Sequence, residues 1–143
     1  MGDSGCVFCR IATGASPASI VFEDSDCVAF LDDRPLFPGH VLLCPREHYE
    51  TLSDLPPGLT GPMFSTTQML AIAVEAALDA EGSFIALNNR VSQSVPHLHI
   101  HVVPRRRRDG LKGFFWPRHN YSDNDAREAV RDAIEREIQR LLV

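Results

Sequence analysis

The chain has 143 residues, 44% of them apolar and 23% charged, which suits one soluble domain with a real hydrophobic core. A formal net charge of −5 argues against general affinity for nucleic acid. No run approaches the ~18 apolar residues that span a bilayer, and the N-terminus lacks a signal-peptide core, so a cytoplasmic protein with no membrane partner is expected.

Met1-Gly2 begins like a myristoylation site, but Cys6 stands where Ser or Thr is required. Without an export signal, Cys6, Cys9, Cys27 and Cys44 are expected as thiols rather than disulfides. Cys6-Val7-Phe8-Cys9 has the spacing that grips a metal from one turn, although a closed zinc site needs four ligands. Two buried thiols are the other reading.

Ala18 to Glu23 and Cys27 to Leu31 read as strands around the turn Asp24-Ser25-Asp26. Gly39 to Pro45 is a third strand, with Cys27 and Cys44 as small core filler. Leu52 to Pro57 is a turn-rich connection. From about Leu59 the period turns helical, with Leu59, Met63, Leu70, Val74, Ala77 and Leu78 on one face, Pro62 in the first turn and Gly82 past the end. Phe84 to Leu87 is a fourth strand leading into Asn88-Asn89.

The fifth strand carries the chemistry. Polar and apolar residues alternate from His97 to Val102, the period-2 signature of a half-buried strand. His97, His99 and His101 share one face, and Leu98, Ile100 and Val102 the core face. At ~3.3 Å per residue the neighbours in the row are about 6.6 Å apart and the outer pair about 13 Å. A zinc ion holds its nitrogens at ~2.0 Å, so one flat strand does not bring three rings to one ion. The rings are better used separately, the middle one reacting and its neighbours orienting it or holding what it attacks.

Arg105-Arg106-Arg107-Arg108 follows, either steering anionic substrates or forming a solvated loop. The aromatic stretch Phe114-Phe115-Trp116 reads as a lid or as part of a subunit interface. Asp123 to Leu142 is a second amphipathic helix, capped by Ser122 or Asp123, with Ala126, Val130, Ala133, Ile134, Ile138 and Leu141 as its stripe. No second domain is visible; the expectation is a single domain over 1–143 with its core at about 5–105.

Ser92-Gln93-Ser94-Val95-Pro96-His97-Leu98-His99-Ile100-His101-Val102-Val103 closely resembles the motif of the histidine-triad (HIT) superfamily. The resemblance extends in order through Phe30-Leu31-Asp32, Pro38-Gly39-His40-Val41-Leu42, Pro45-Arg46-Glu47-His48 and Asn88-Asn89. His101, where the uridylyltransferase branch carries Gln, places the chain with the hydrolases. The fold implied is α+β: a five-stranded antiparallel sheet, one long helix on its apolar face, and a C-terminal helix. Homodimers with a continuous sheet are usual in the family.

The resemblance also implies roles. Zinc-bearing bacterial members imply a structural zinc site of Cys6, Cys9, His48 and His97, with no catalytic metal. Asp32 becomes the acceptor of a ribose diol, against a solvated loop acid as its other reading. Phe8, Ile11 and Phe30 would wall a base pocket instead of being plain core. Asn88, Gln93, Ser94 and His101 would meet phosphate, although the loop Arg90-Val91-Ser92 is short and lacks the glycines of relatives. His40 either supports the nucleophile or is a structural histidine.

The activity implied is hydrolysis at the α-phosphate of a purine nucleoside phosphoramidate, an adenylate or a dinucleoside polyphosphate. His99 would be the nucleophile, forming a nucleotidyl-histidine that water resolves. His97, His101, His40 and Ser94 would assist. The alternatives are a nucleotide-binding sensor or partner-binding module without turnover, and a metal-dependent hydrolase using the histidine row.

Overall fold

The structure is a computed structural model that describes residues 5–111 and 118–143. The aromatic segment Phe114-Phe115-Trp116 and the Met1-Gly2 start therefore lie outside the described residues. The chain divides into two compact units, residues 1–109 and residues 110–143.

The first unit opens with α1 (Val7–Thr13), followed by β1 (Ile20–Glu23), β2 (Cys27–Leu31) and β3 (Val41–Pro45). A short 3-10 turn (Leu52–Asp54) leads to α2 (Pro57–Ala77), then β4 (Gly82–Ala86) and β5 (Ile100–Arg105). The five strands form one antiparallel sheet in the order β1-β2-β3-β5-β4. The architecture is α+β, as expected.

Alternation decides which side chain goes to which layer. On one face Ala29, Leu43, Ile100 and Val102 meet Met63, Leu70 and Val74 of α2. On the other, Val28, Phe30, Leu42 and Cys44 meet Cys6, Phe8, Cys9 and Ile11. The expected stripe of α2 is buried at Met63, Leu70 and Val74, whereas Ala77 and Leu78 are exposed at its end. The helix begins at Pro57, so Pro62 lies one turn deeper than the sequence suggested.

Two elements differ from the sequence reading. The fifth strand begins at Ile100, and His97 to His99 form its irregular approach. Leu98 still packs in the α2 core, so the alternation is kept although the ladder is not yet formed. The other is α1, which the sequence did not announce. Cys6 caps it, its thiol accepting from the Cys9 N–H at 3.5 Å. Gly14 ends it at φ 83°, the left-handed turn that a glycine adopts freely.

In the second unit α3 (Asn124–Leu142) is capped by Asp123, whose Oδ1 accepts the Ala126 N–H at 2.7 Å. None of its residues is buried, and the stripe at Val130, Ile134, Ile138 and Leu141 is exposed. The helix is instead laced by ion pairs of Arg131 with Glu128 and Glu135, and of Arg140 with Glu137.

Candidate functional site

Two groups of side chains gather on the sheet face opposite α2. The first joins α1 to the approach of β5. Cys6 and Cys9 stand one helical turn apart, His48 follows β3, and His97 precedes β5. His97 Nδ1 is 3.4 Å from each thiol sulfur, and His48 Nδ1 is 3.3 Å from Cys9 Sγ. The four donor atoms all lie within 4.8 Å of one another. A tetrahedral zinc with ~2.3 Å bonds to sulfur and ~2.0 Å to nitrogen sets S and N about 3.5 Å apart, so the group fits such an ion.

The protonation pattern agrees. His97 Nε2 lies 2.8 Å from the Pro45 carbonyl, which only accepts, so Nε2 carries the proton and Nδ1 offers its lone pair to the thiols. A carbonyl behind a ligating histidine is the usual way to fix its tautomer. Burial, with Pro45 opposing and His48 adding to it, holds His97 below the ordinary imidazole pKa, which keeps it neutral as a ligand must be.

The second group is a cleft of about 210 Å³ whose lining includes Phe8, Ile11, Phe30, Asp32, Ser94, His99 and His101. Phe8 stands edge-on to Phe30 at 5.3 Å and to His99 at 5.0 Å. His99 Nδ1 is 2.7 Å from the carbonyl of His97. Nδ1 is therefore the donor, and Nε2 keeps the lone pair. Burial, opposed by that hydrogen bond and by the Asp32 carboxylate, holds the ring below the usual pKa. Neutral His99 is thus favoured near pH 7.

His101 is fixed by a different chain of partners. His40 Nδ1 accepts the Leu36 N–H at 3.1 Å, so its Nε2 carries the proton. That nitrogen donates to His101 Nδ1 at 2.9 Å, which leaves the His101 proton on Nε2. Burial, aided by His99 and His40, lowers His101 to about 4. The cleft thus holds a ring with a free lone pair beside a ring that donates. His40 meets His101 rather than His99, and burial lowers its pKa too.

Several expected residues fall elsewhere. Gln93 does not line the cleft: its Oε1 accepts the Arg90 N–H at 2.8 Å and its Nε2 donates to the Glu50 carbonyl at 2.6 Å. Asn88 is exposed and donates to the Ser92 carbonyl at 3.3 Å, within its own loop. Ser94 lines the cleft and also a recess beside Cys6 and His48. The arginine run is largely committed: Arg105 to Asp109, Arg106 to the Leu78 carbonyl, and Arg107 to Glu81. The groups that set each tautomer are backbone atoms of Leu36, Pro45 and His97, which side-chain motifs do not reveal.

Comparison with known proteins decides the family. A sequence profile of the HIT domain matches residues 13–108. The chain belongs to the HIT family. It is 38% identical over 108 residues to adenylylsulfatase HINT3 of Arabidopsis thaliana, a match spanning 74% of this chain and 55% of that protein. Among solved structures, SMU.412c of Streptococcus mutans superposes with a TM-score of 0.87 at 32% identity, covering 96% of this chain and 87% of the other. A zinc-bound histidine triad family protein of Mycobacterium smegmatis gives 0.73 at 35% identity, with 96% and 99% coverage. In this HIT chain the Cys6-Cys9-His48-His97 group is thus of a kind that could hold a metal.

Proposed function

We propose that the chain hydrolyses a nucleoside 5′-phosphate derivative at its α-phosphorus through a nucleotidyl-His99 intermediate. The observation that carries this is the tautomer of His99, whose Nδ1–H is spent on the His97 carbonyl while Nε2 stays unprotonated in the cleft wall. In the first step that lone pair forms the N–P bond as the bond from phosphorus to the leaving group breaks. The leaving group takes the electron pair and a proton from solvent, and His101 Nε2–H gives a hydrogen bond to the departing atom or to an equatorial phosphoryl oxygen. In the second step water attacks phosphorus and loses a proton to solvent, the N–P bond breaks with its electron pair returning to His99 Nε2, and a nucleoside monophosphate is released.

The remaining assignments follow the same reading. Asp32 accepts the ribose hydroxyls, Phe8, Ile11 and Phe30 hold the base, and Ser94 donates to phosphate. A purine nucleoside phosphoramidate, an adenylate or a dinucleoside polyphosphate is the substrate class; the adenylylsulfatase relative is in keeping with an adenylate. Zinc at Cys6, Cys9, His48 and His97 is structural, tying α1 to the approach of β5. The chain pairs as a homodimer through the β4 edge, where Ile85 of β4 and the neighbouring Phe64 and Ile72 of α2 are exposed; sedimentation equilibrium giving the monomer mass would remove that part.

The deciding experiment incubates the zinc-loaded protein with adenosine phosphoramidate, quenches in mild base and digests it. Mass spectrometry should find AMP on the peptide holding His99. No adduct, together with a fully active His99→Ala protein, overturns the mechanism; AMP binding without turnover would make the chain a sensor.

A further inference from the structure

Val7, Ser94 and Val95 line both the cleft and the recess beside Cys6 and His48, so the two spaces adjoin. The recess measures about 340 Å³ and is walled further by Pro96 and Glu50. On the hydrolase reading above, which this step presupposes, base, ribose and phosphate take the cleft and Ser94 meets the phosphate. The space next to that phosphate is the recess, so the group that leaves phosphorus enters it.

The fixed charges along that path have one sign. Asp32 and Asp33 line the cleft and Glu50 the recess, and no Lys or Arg lines either space among the described residues. The arginines of 105–107 are held by Asp109, the Leu78 carbonyl and Glu81. Arg90, in the loop that leads to Ser94, has Asp54 as its neighbouring carboxylate. Two thiolates and two neutral imidazoles around Zn²⁺ sum to zero, so an occupied Cys6-Cys9-His48-His97 group adds no net charge to the recess wall.

Glu50 is also held in place. Gln93 Nε2 donates to its carbonyl at 2.6 Å, and the Leu98 N–H donates to the adjacent Tyr49 carbonyl at 2.6 Å. Its side chain is exposed, and the carboxylate has no partner among the described residues. Val7, Val95 and Pro96 offer apolar surface around it. An alkyl stem that lies on apolar surface while its cationic head stays in water is the pattern such a wall suits.

We propose that the recess receives the leaving group and that Glu50 selects for a positive charge on it. The favoured leaving group is an amine whose alkyl stem ends in a second, ammonium group. The stem lies along Val7, Val95 and Pro96, and the ammonium meets the Glu50 carboxylate. A polyphosphate arm would set further negative charge against the same carboxylate. In the reaction the His99 Nε2–P bond forms as the P–N bond to the amine breaks. The departing nitrogen keeps that electron pair and takes a proton from solvent, and the terminal ammonium is unchanged.

The test compares three adenosine 5′-phosphoramidates on the zinc-loaded protein, with alkyl arms of one length ending in ammonium, methyl or carboxylate. kcat/KM should be about three- to fivefold higher for the ammonium arm than for the methyl arm, the scale of one exposed ion pair, and about tenfold higher than for the carboxylate arm. Added salt should compress both ratios. Glu50→Gln should bring the ammonium-to-methyl ratio to within about twofold of one, and Glu50→Lys should put the carboxylate arm first. Ratios taken within one protein are not moved by a loss of folded material. Any other order in the wild type, or ratios that survive both substitutions, overturns the proposal. If none of the three is turned over, the hydrolase reading fails, and the Kd values of the intact amidates, measured by calorimetry, decide the charge preference by the same order. No binding of any of them overturns both.

Discussion

His97 and His99 are two residues apart on one stretch of chain and have opposite fates. His97 gives its Nε2 proton to the Pro45 carbonyl and turns Nδ1 to two thiols. His99 gives its Nδ1 proton to the carbonyl of His97 and keeps Nε2 free in the cleft. Residue type is the same and both rings are buried. The difference lies in which ring nitrogen a backbone carbonyl claims. In the proposed reading one claim makes a ligand and the other a nucleophile, and α1 connects the two groups, with Cys6 and Cys9 beside His97 and Phe8 and Ile11 on the cleft wall.

The sharpest break of this contrast is His99→Ala. Turnover should fall by a factor on the order of 10⁴ or more, the scale of losing a covalent nucleophile. Zinc content and Tm should stay near wild type, because His99 holds no part of the metal group. A Tm loss comparable to that of a ligand variant would mean that the two regions are not separable.

Cys9→Ala attacks the other side. Loss of one ligand should cost on the order of 3 kcal/mol and about 10 °C in Tm, with metal content falling to near zero. Activity should decline as well, through KM first, as α1 loosens and Phe8 leaves the wall. Unchanged Tm and metal content would sink the staple.

Much of this was legible in the sequence because it depends on periodicity. Leu98, Ile100 and Val102 are in the core, and Met63, Leu70 and Val74 face them as the helical stripe requires. The sequence did not show α1, since seven residues are too few for a period and the helix stands on a thiol cap and on packing. Nor did it show the tautomers, because the Pro45 and His97 carbonyls and the Leu36 N–H reach the rings only once the strands are in register. Gln93 and the arginines of 105–107 illustrate the same limit: their type permits a phosphate contact, and tertiary partners take them first.

A third measurement separates the two pairs of thiols. Burial first, then the Asp24 carboxylate, push the Cys27 thiol from 9.0 up to about 12, and burial drives Cys44 the same way. A folded pKa above the unfolded one means that stability is complete below about pH 9 and is lost as pH rises toward the folded value, at most ~1.4 kcal/mol per unit per group. Urea unfolding of zinc-loaded protein should therefore show a loss of about 3 kcal/mol between pH 9 and pH 10.5, about half of it from each thiol. Cys27→Ala should flatten this slope even if its baseline is lower. An unchanged slope would assign the alkaline loss elsewhere.

The smallest effect concerns the loop that borders both regions. Ser94 and Val95 line the cleft and the recess beside Cys6 and His48, so their placement matters to each. Arg90 and Ser92 hold the loop at φ 68° and 62°, a left-handed backbone that costs non-glycine residues about 1 kcal/mol. Gln93 offsets that cost by bridging the Arg90 N–H and the Glu50 carbonyl. Gln93→Ala should lose about 1 kcal/mol and about 3 °C in Tm, because both hydrogen bonds are partly solvated. Metal content should not change, and kcat should fall only a few-fold as Ser94 loses its fixed position. A collapse of kcat at unaltered Tm would instead put the Gln93 amide on the substrate, displacing the clamp as its role.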